Sequence, residues 1–232
     1  MNLLALDSAT DACSVALSVQ GELHELWQEA PRQHNELLMP MAEQLLSAHG
    51  MKISELDGVV FGMGPGSFTG IRLAAGMAQG MGLASGLPVY AVSDFMAISN
   101  RYFHSGEESQ GSNRVAIAMD ARMNQYAWAV YSVIDNDIHI EQPEVLIDSA
   151  GIIQWYDEAC AQSSELALLG QGWATEALAG LAHGSPMQVD PAVLPHAADM
   201  VRLVQQSPNA YLSRAGENPL YLREQVAVKR HP

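Results

Sequence analysis

The chain has 232 residues, a formal net charge of −15, a hydrophobic fraction of 48% and a charged fraction of 16%. That composition fits one large domain or two small ones with ample core. It argues against direct grip on nucleic acid, which draws most of its affinity from Lys and Arg set against phosphates. The basic residues are scattered and cluster only at Lys229-Arg230-His231, so a basic protein partner suits this surface better. Met1-Asn-Leu-Leu-Ala-Leu-Asp7 has no basic segment before its apolar run. The weakly polar stretch from Ile71 to Val92 is broken by Arg72, Gln79 and Ser85. Cys13 and Cys160 stand far apart. The expectation is a cytoplasmic protein with no membrane span, no disulfide framework and no zinc cluster.

In chain order, 3–7 and 12–19 are apolar runs joined by Ser8-Ala-Thr-Asp11, which reads as a hairpin, and 22–28 adds a third strand. After Pro31 a helical stripe runs through Leu37, Leu38, Met41, Leu45 and Leu46 to Gly50. A short helical link at 53–56 leads into an apolar strand ending at Phe61. Then comes Gly62-Met-Gly-Pro-Gly-Ser-Phe-Thr-Gly-Ile-Arg72, read as a glycine turn opening a helix capped by Ser67 or Thr69. Such a turn either holds an anion through Gly64, Gly66, Ser67 and Thr69 or is simply tight. Gly76, Gly80 and Ala84 recur at spacings of four along the helix, so another helix is expected to approach them closely. A strand at 87–92 and a Ser93-capped helix to Tyr102 follow.

Residues 105–113 have linker composition. Beyond them Val115–Asp120, the turn Ala121-Arg-Met-Asn-Gln125 and the strand 126–134 repeat the first hairpin at an offset of 113 residues. A strand at 138–142, helices at 152–160 and 173–182, a strand at 165–169 and a last helix at 199–206 complete the pattern. The reading is a diverged duplication in an α/β protein, with lobes 1–104 and 114–232 and a last helix free to fold back on the first lobe.

Familiar phosphate sites do not fit. Ile71 stands where a P-loop needs lysine, and Ser67 stands where a dinucleotide fingerprint needs its third glycine. Two aspartate-tipped hairpins point to the actin-like ATPase and sugar-kinase architecture, with Asp7 and Asp120 as the magnesium candidates. Yet both hairpin turns lack glycine, and their side chains would crowd a phosphate. The bland alternative is that both aspartates cap their own turns.

The chain resembles the bacterial TsaB (YeaZ) family through Leu-Ala-Leu-Asp-Ser-Ala-Thr-Asp-Ala-Cys-Ser-Val-Ala-Leu17, Pro31-Arg-Gln-His34, Gly64-Pro-Gly-Ser-Phe-Thr-Gly-Ile-Arg72, Met119-Asp-Ala-Arg-Met123 and Pro219-Leu-Tyr-Leu-Arg223. The resemblance implies a two-lobed actin-like fold with a reduced second lobe. It implies a non-catalytic part in the threonylcarbamoyl modification of adenosine in tRNAs that read ANN codons. The implied partners are a TsaD homologue, the ATPase TsaE and a second copy of the chain, with tRNA contacted only indirectly. No tightly bound cofactor is implied; ATP or ADP is the candidate nucleotide where partners meet. The related catalytic subunit holds metal through His-x-x-x-His on a helix, but here His34 is followed four residues later by Leu38. That gap argues against a zinc metallopeptidase, and the turn chemistry argues against an active phosphotransferase. The candidate interface comprises His34, Leu38, Met41, Leu45, Ile71, Arg72, Ala75, Gly76, Met77 and Gly80, roughly half of which should face the chain's own sheet. Arg72 is placed to reach a partner carboxylate, a trapped phosphate or Asp7.

Overall fold

The computed structural model describes residues 1–104, 112–162, 166–184, 187–213 and 222. The segment 105–111, the C-terminal basic cluster and all of the Pro219–Arg223 motif but Leu222 lie outside them. The first sheet begins with β1 (Leu3–Asp7) and β2 (Ala12–Val19), antiparallel and buried at every residue. Their side chains therefore alternate between two covered faces. Leu4, Leu6, Val15 and Leu17 face one core, while Leu3, Ala5 and Ala16 face another. β3 (Glu22–Glu29) closes one edge; helix α1 (His34–Ala48) and a 3-10 turn (Ile53–Glu55) lead to β4 (Gly58–Gly62). Helix α2 (Phe68–Ser85), β5 (Val89–Val92) and α3 (Asp94–His104) follow, giving the strand order β3-β2-β1-β4-β5.

The second sheet repeats this order as β8-β7-β6-β9-β10, from β6 (Arg114–Asp120), β7 (Gln125–Ile134), β8 (Asp137–Asp148), β9 (Ala167–Leu169) and β10 (Gln188–Asp190). Its helices are α4 (Ser149–Gln162) and the short α5 (Ala179–Gly184). The helix expected from Trp173 does not start there. Gln171–Ala174 is a 3-10 turn, entered through Gly170 at φ +93°. A Cβ on Gly172 would lie 2.8 Å from Ala118, and the buried Trp173 indole donates to the Ala116 carbonyl at 3.3 Å. The turn is pinned to the sheet, so helix begins only at Ala179. No described helix is long and apolar enough to cross a membrane.

Helices α1 and α2 cover one face of the first sheet. Its other face is covered by α6 (Ala197–Gln206), which is followed by the single turn α7 (Pro208–Tyr211). Helix α3 lies between the sheets, giving Ala97 to the α6 core and Phe95, Ile98 and Tyr102 to the second sheet. Asp199 on α6, nearly fully buried, takes hydrogen bonds from Asn100 at 3.1 Å, Arg101 at 3.3 Å and Arg202 at 2.7 Å. Glu144 on β8 accepts from Ser93, the cap of α3, at 2.6 Å and from Tyr131 at 2.5 Å.

Glu25 on β3 anchors the entry to α6. It accepts from the Ser14 hydroxyl at 2.8 Å and the Ala198 N–H at 3.1 Å, and pairs with His196 at 2.9 Å, whose ring stacks on Trp27. Burial pushes the Glu25 carboxyl up, but the hydrogen bond and charge of His196, with the Ala198 N–H and Ser14, outweigh it and leave it below its usual value. A depressed acid stabilises the fold above its unfolded-state range, and that contribution is lost as pH falls through the lowered value. Glu25→Gln is expected to destabilise the protein by about 1–3 kcal/mol at neutral pH. Urea unfolding followed from neutral to acid pH should show the wild-type advantage shrinking toward zero.

Candidate docking face and interlobe cleft

The glycine turn between β4 and α2 rests on the tip of the first hairpin. Cβ atoms on Gly66 or Gly70 would collide with the carbonyls of Ala9 and Ser8. The Ser67 N–H donates to the Ala9 carbonyl at 2.6 Å, and the Ser8 hydroxyl donates to the Gly70 carbonyl at 2.8 Å. Ser67, not Thr69, caps α2, accepting from the Gly70 N–H at 3.4 Å. The Gly64 N–H donates to Asp94 at 2.5 Å. Of the four residues expected to hold an anion, Gly64 and Ser67 already spend their N–H groups inside the lobe, and Pro65 between them has none, while Gly66, Ser67 and Thr69 line the cleft.

A cleft of about 900 Å³ lies between the lobes, lined by Thr10 and Asp11 from the first hairpin tip, Ser67 and Thr69 from α2, and Asp120 and Arg122 from the second tip. Asp7 is absent from its walls. It is wholly buried, with Oδ1 accepting the Ala9 N–H at 3.0 Å and its carboxyl set against Asp94. Asp120 caps its own turn, accepting the Arg122 N–H at 2.8 Å and pairing with that guanidinium at 3.3 Å. Magnesium and a phosphate chain do not fit this arrangement, because the first carboxylate cannot reach them. His34 bonds to the Ala12 carbonyl at 3.2 Å, and Leu38 one turn on is in the core. Among the described residues no three His, Cys, Asp or Glu side chains converge on a metal position. Ser14 and His196 both bond to Glu25 rather than to each other, so they form no nucleophile–base pair. Titration calorimetry of the isolated chain with ATP and magnesium is expected to give no saturable heat; low-micromolar binding would refute the closed-tip reading.

The helices show a different outward face from the one the apolar stripe implied. Leu38, Met41, Leu45, Ile71 and Ala75 are buried in the chain's own core, and Met77 is half-buried against it. Both helices lie flat on the first sheet, so the i, i+3, i+4 stripe is the stripe that the sheet covers. Of the ten candidate residues Arg72, Gly76 and Gly80 are exposed, and His34 is half-buried. The exposed row on α2 is Phe68, Arg72, Gly76, Gly80 and Leu83; the Arg72 guanidinium lies 3.6 Å over the Phe68 ring, and Leu83 is 89% exposed. Met39 and Pro40 are the exposed apolar residues of the first half of α1. Phe68, Met39 and Leu83 were missed, although Leu83 falls three and seven residues beyond the two glycines, on their face.

A Cβ on Gly76 or Gly80 would meet nothing within 4 Å among the described residues, which supply no close helix there. Gly82, by contrast, is tight: its Cβ would stand 2.5 Å from Val89. Gly76→Ala and Gly80→Ala are each expected to stabilise the free chain by up to about 1 kcal/mol, since alanine favours helix and meets no obstacle. Gly70→Ala should destabilise by about 1–3 kcal/mol or more. Thermal melts of the three variants check the contrast.

The doubled strand order, the aspartate-tipped hairpins and the cleft between them define a two-lobed α/β protein of the actin-like ATPase and sugar-kinase class. A family model described as TsaD, tRNA N6-adenosine threonylcarbamoyltransferase, matches residues 27–217. The tRNA threonylcarbamoyladenosine biosynthesis protein TsaB of Escherichia coli is 33% identical over 100% of this chain and 99% of its own. That of Haemophilus influenzae is also 33% identical, over 100% and 98%. The structure of YeaZ from Pseudomonas aeruginosa superposes with a TM-score of 0.79 at 32% identity, covering 95% of this chain and 99% of that one. The chain belongs to the TsaB (YeaZ) family.

Proposed function

We propose that the chain serves tRNA threonylcarbamoyladenosine biosynthesis as a docking subunit with no chemistry of its own. Through the outward face of α1 and α2 it pairs with a TsaD homologue, or with a second copy of itself when that partner is lacking. TsaE joins the assembled pair, and ATP or ADP has its place at the junction rather than in this chain alone. The observation that carries the reading is the open glycine row. Gly76 and Gly80 weaken an exposed helix and meet none of the described residues, while Phe68 and Leu83 leave apolar surface at either end. A helix from another molecule, lying across the glycines, would answer both features.

Three further points support it. The family model that matches residues 27–217 carries the TsaD description, so partner and chain share an architecture and can present equivalent helices to each other. Asp7 is held away from the cleft, which removes the first metal-binding position of an actin-like enzyme. The net charge of −15 leaves tRNA contact to the partner.

The test uses variants of the exposed row. Leu45 is unsuitable, because glutamate there would bury a charge in the core. Gly80→Arg and Leu83→Glu should keep the wild-type circular dichroism and melting behaviour. Each should weaken association with the TsaD homologue by roughly tenfold or more in ultracentrifugation. Undiminished complex formation by both variants would refute this face as the docking surface.

A further inference from the structure

Beneath the docking helix lies a pair of acids that the docking reading does not use. Asp7 ends β1 and Asp94 begins α3, and both are wholly buried. Gly62, the last residue of β4, lies against them: a Cβ there would stand 2.5 Å from Asp7 Oδ1 and 3.0 Å from Asp94 Oδ1. One oxygen of each acid is accounted for, Asp7 Oδ1 by the Ala9 N–H and Asp94 Oδ2 by the Gly64 N–H. The other two, Asp7 Oδ2 and Asp94 Oδ1, are buried and receive no N–H or hydroxyl from the described residues. Two adjacent, wholly buried carboxylates cannot readily both be ionised. A single proton resolves the conflict, turning two acceptors into a donor and an acceptor.

We propose that one proton is held between Asp7 and Asp94 and acts as a latch, tying the hairpin tip to the glycine turn and so seating the start of α2. The ties it secures are the Ala9–Ser67 and Ser8–Gly70 hydrogen bonds and the Gly64–Asp94 pair of bonds, N–H to carboxyl at 2.5 Å and Asp94 N–H to carbonyl at 2.9 Å. When the proton leaves, two buried negative charges face each other and push the tip and the turn apart. Because α2 carries the docking face, the latch also sets how firmly that face is held.

The remaining surroundings act on both acids. Burial pushes both acids up; the ionised Asp7 beside it drives Asp94 well above the carboxylate range. Asp7 is restrained by the Ala9 N–H, by the hydrogen bond to Asp94, by the Ser8 N–H and by the charge of His34 on α1. Cys13 on β2 also faces Asp7, and burial together with that carboxylate pushes its thiol up to about 11. The proton belongs to the pair, both members of which are raised, Asp94 the more strongly. The folded state keeps a proton that the unfolded chain releases. Its contribution is full below the ordinary aspartate range and is lost as pH rises through the folded-state value of Asp94.

The experiment uses the intact chain labelled with 13C-aspartate. At neutral pH its infrared spectrum is expected to show a protonated-carboxyl band that moves in heavy water and vanishes in Asp94→Asn. Hydrogen exchange, corrected for its intrinsic pH dependence, is then followed at the Gly64, Ser67 and Gly70 amides. Once pH exceeds the value of Asp94, their opening should rise about tenfold per pH unit in the wild type. It should stay level in Asp94→Asn, whose amide supplies a permanent donor to Asp7. Absence of the band in the wild type overturns the proposal, as does an equal slope in the two proteins. Stoichiometric divalent metal in place of the band overturns it as well. Should Asp94→Asn fail to fold, Asp7→Asn supplies the same donor from the other side, and the wild-type band stands as evidence by itself. No partner is present, so failure here leaves the docking reading untouched.

Discussion

The structure depends on a steric fit between two pieces of backbone. The carbonyls of Ser8 and Ala9 occupy the space where side chains on Gly70 and Gly66 would project. Only glycine at those positions lets the first turn of α2 lie directly on the hairpin tip. That fit draws the Ser67 N–H onto Ala9 and brings the turn to Asp94, and it shuts Asp7 behind the turn. The electrostatic outcome follows from the packing: two acids buried side by side, neither bonded to a basic side chain among the described residues, can coexist only if one of them is neutral.

The closed tip also determines what α2 displays. Seated at its start by Ser67 and packed along its length by Ala74, Ala75, Ala78 and Met81, the helix has one stripe covered by the sheet and one that is solvent-exposed. On the far side of the same sheet, α6 and α3 join the two lobes through the Asp199 cluster and the Glu25–His196 pair. The joining elements and the free helices thus occupy opposite faces. A partner can load α1 and α2 without touching the Asp199 cluster or the Glu25–His196 pair, whose hydrogen bonds run through α3, α6 and β3. Gly82, packed on Val89, and Gly76 and Gly80, in contact with none of the described residues, show how one helix divides its small residues between internal contact and open surface.

Much of the plan could be read from the residues. Both hairpins, the Ser93 cap, the Ser67 alternative and the offset between Asp7 and Asp120 are local signals, carried by turn chemistry and short apolar runs. The misses are non-local. β8 runs through Pro143 to Asp148 because β7 offers it a bulged partner, which a pattern of single residues does not reveal. The turn at Trp173 was read as helix because its tie to Ala116 joins residues far apart in sequence. The apolar stripe of α1 and α2 was assigned in part to an interface, yet amphipathicity says only that a stripe is covered, not by what. Asp94 carries no motif at all; its meaning comes from Asp7 at the end of β1.

The two hairpins show how local the closure is. Asp7 and Asp120 hold equivalent places in equivalent strands, and each caps its own turn. Asp7 has no exposure, whereas the side chain of Asp120 is 27% exposed, pairs with the outward-facing Arg122 and lines the cleft. Neither strand nor turn differs enough to explain this; the neighbour does. Beside Asp7 the next parallel strand ends at Gly62 and leads through the glycine turn into α2, with Asp94 closing the space. Beside β6 the corresponding strand ends at Leu169, and the following Gly170-Gln-Gly172 turn packs on the backbone of Ala118 instead of reaching the carboxylate. The repeated unit carries two like aspartates, and the glycine-rich turn between β4 and α2 makes one of them part of the core. The lobe whose acid is sealed is also the lobe that exposes the glycine row, because the same seating of α2 does both.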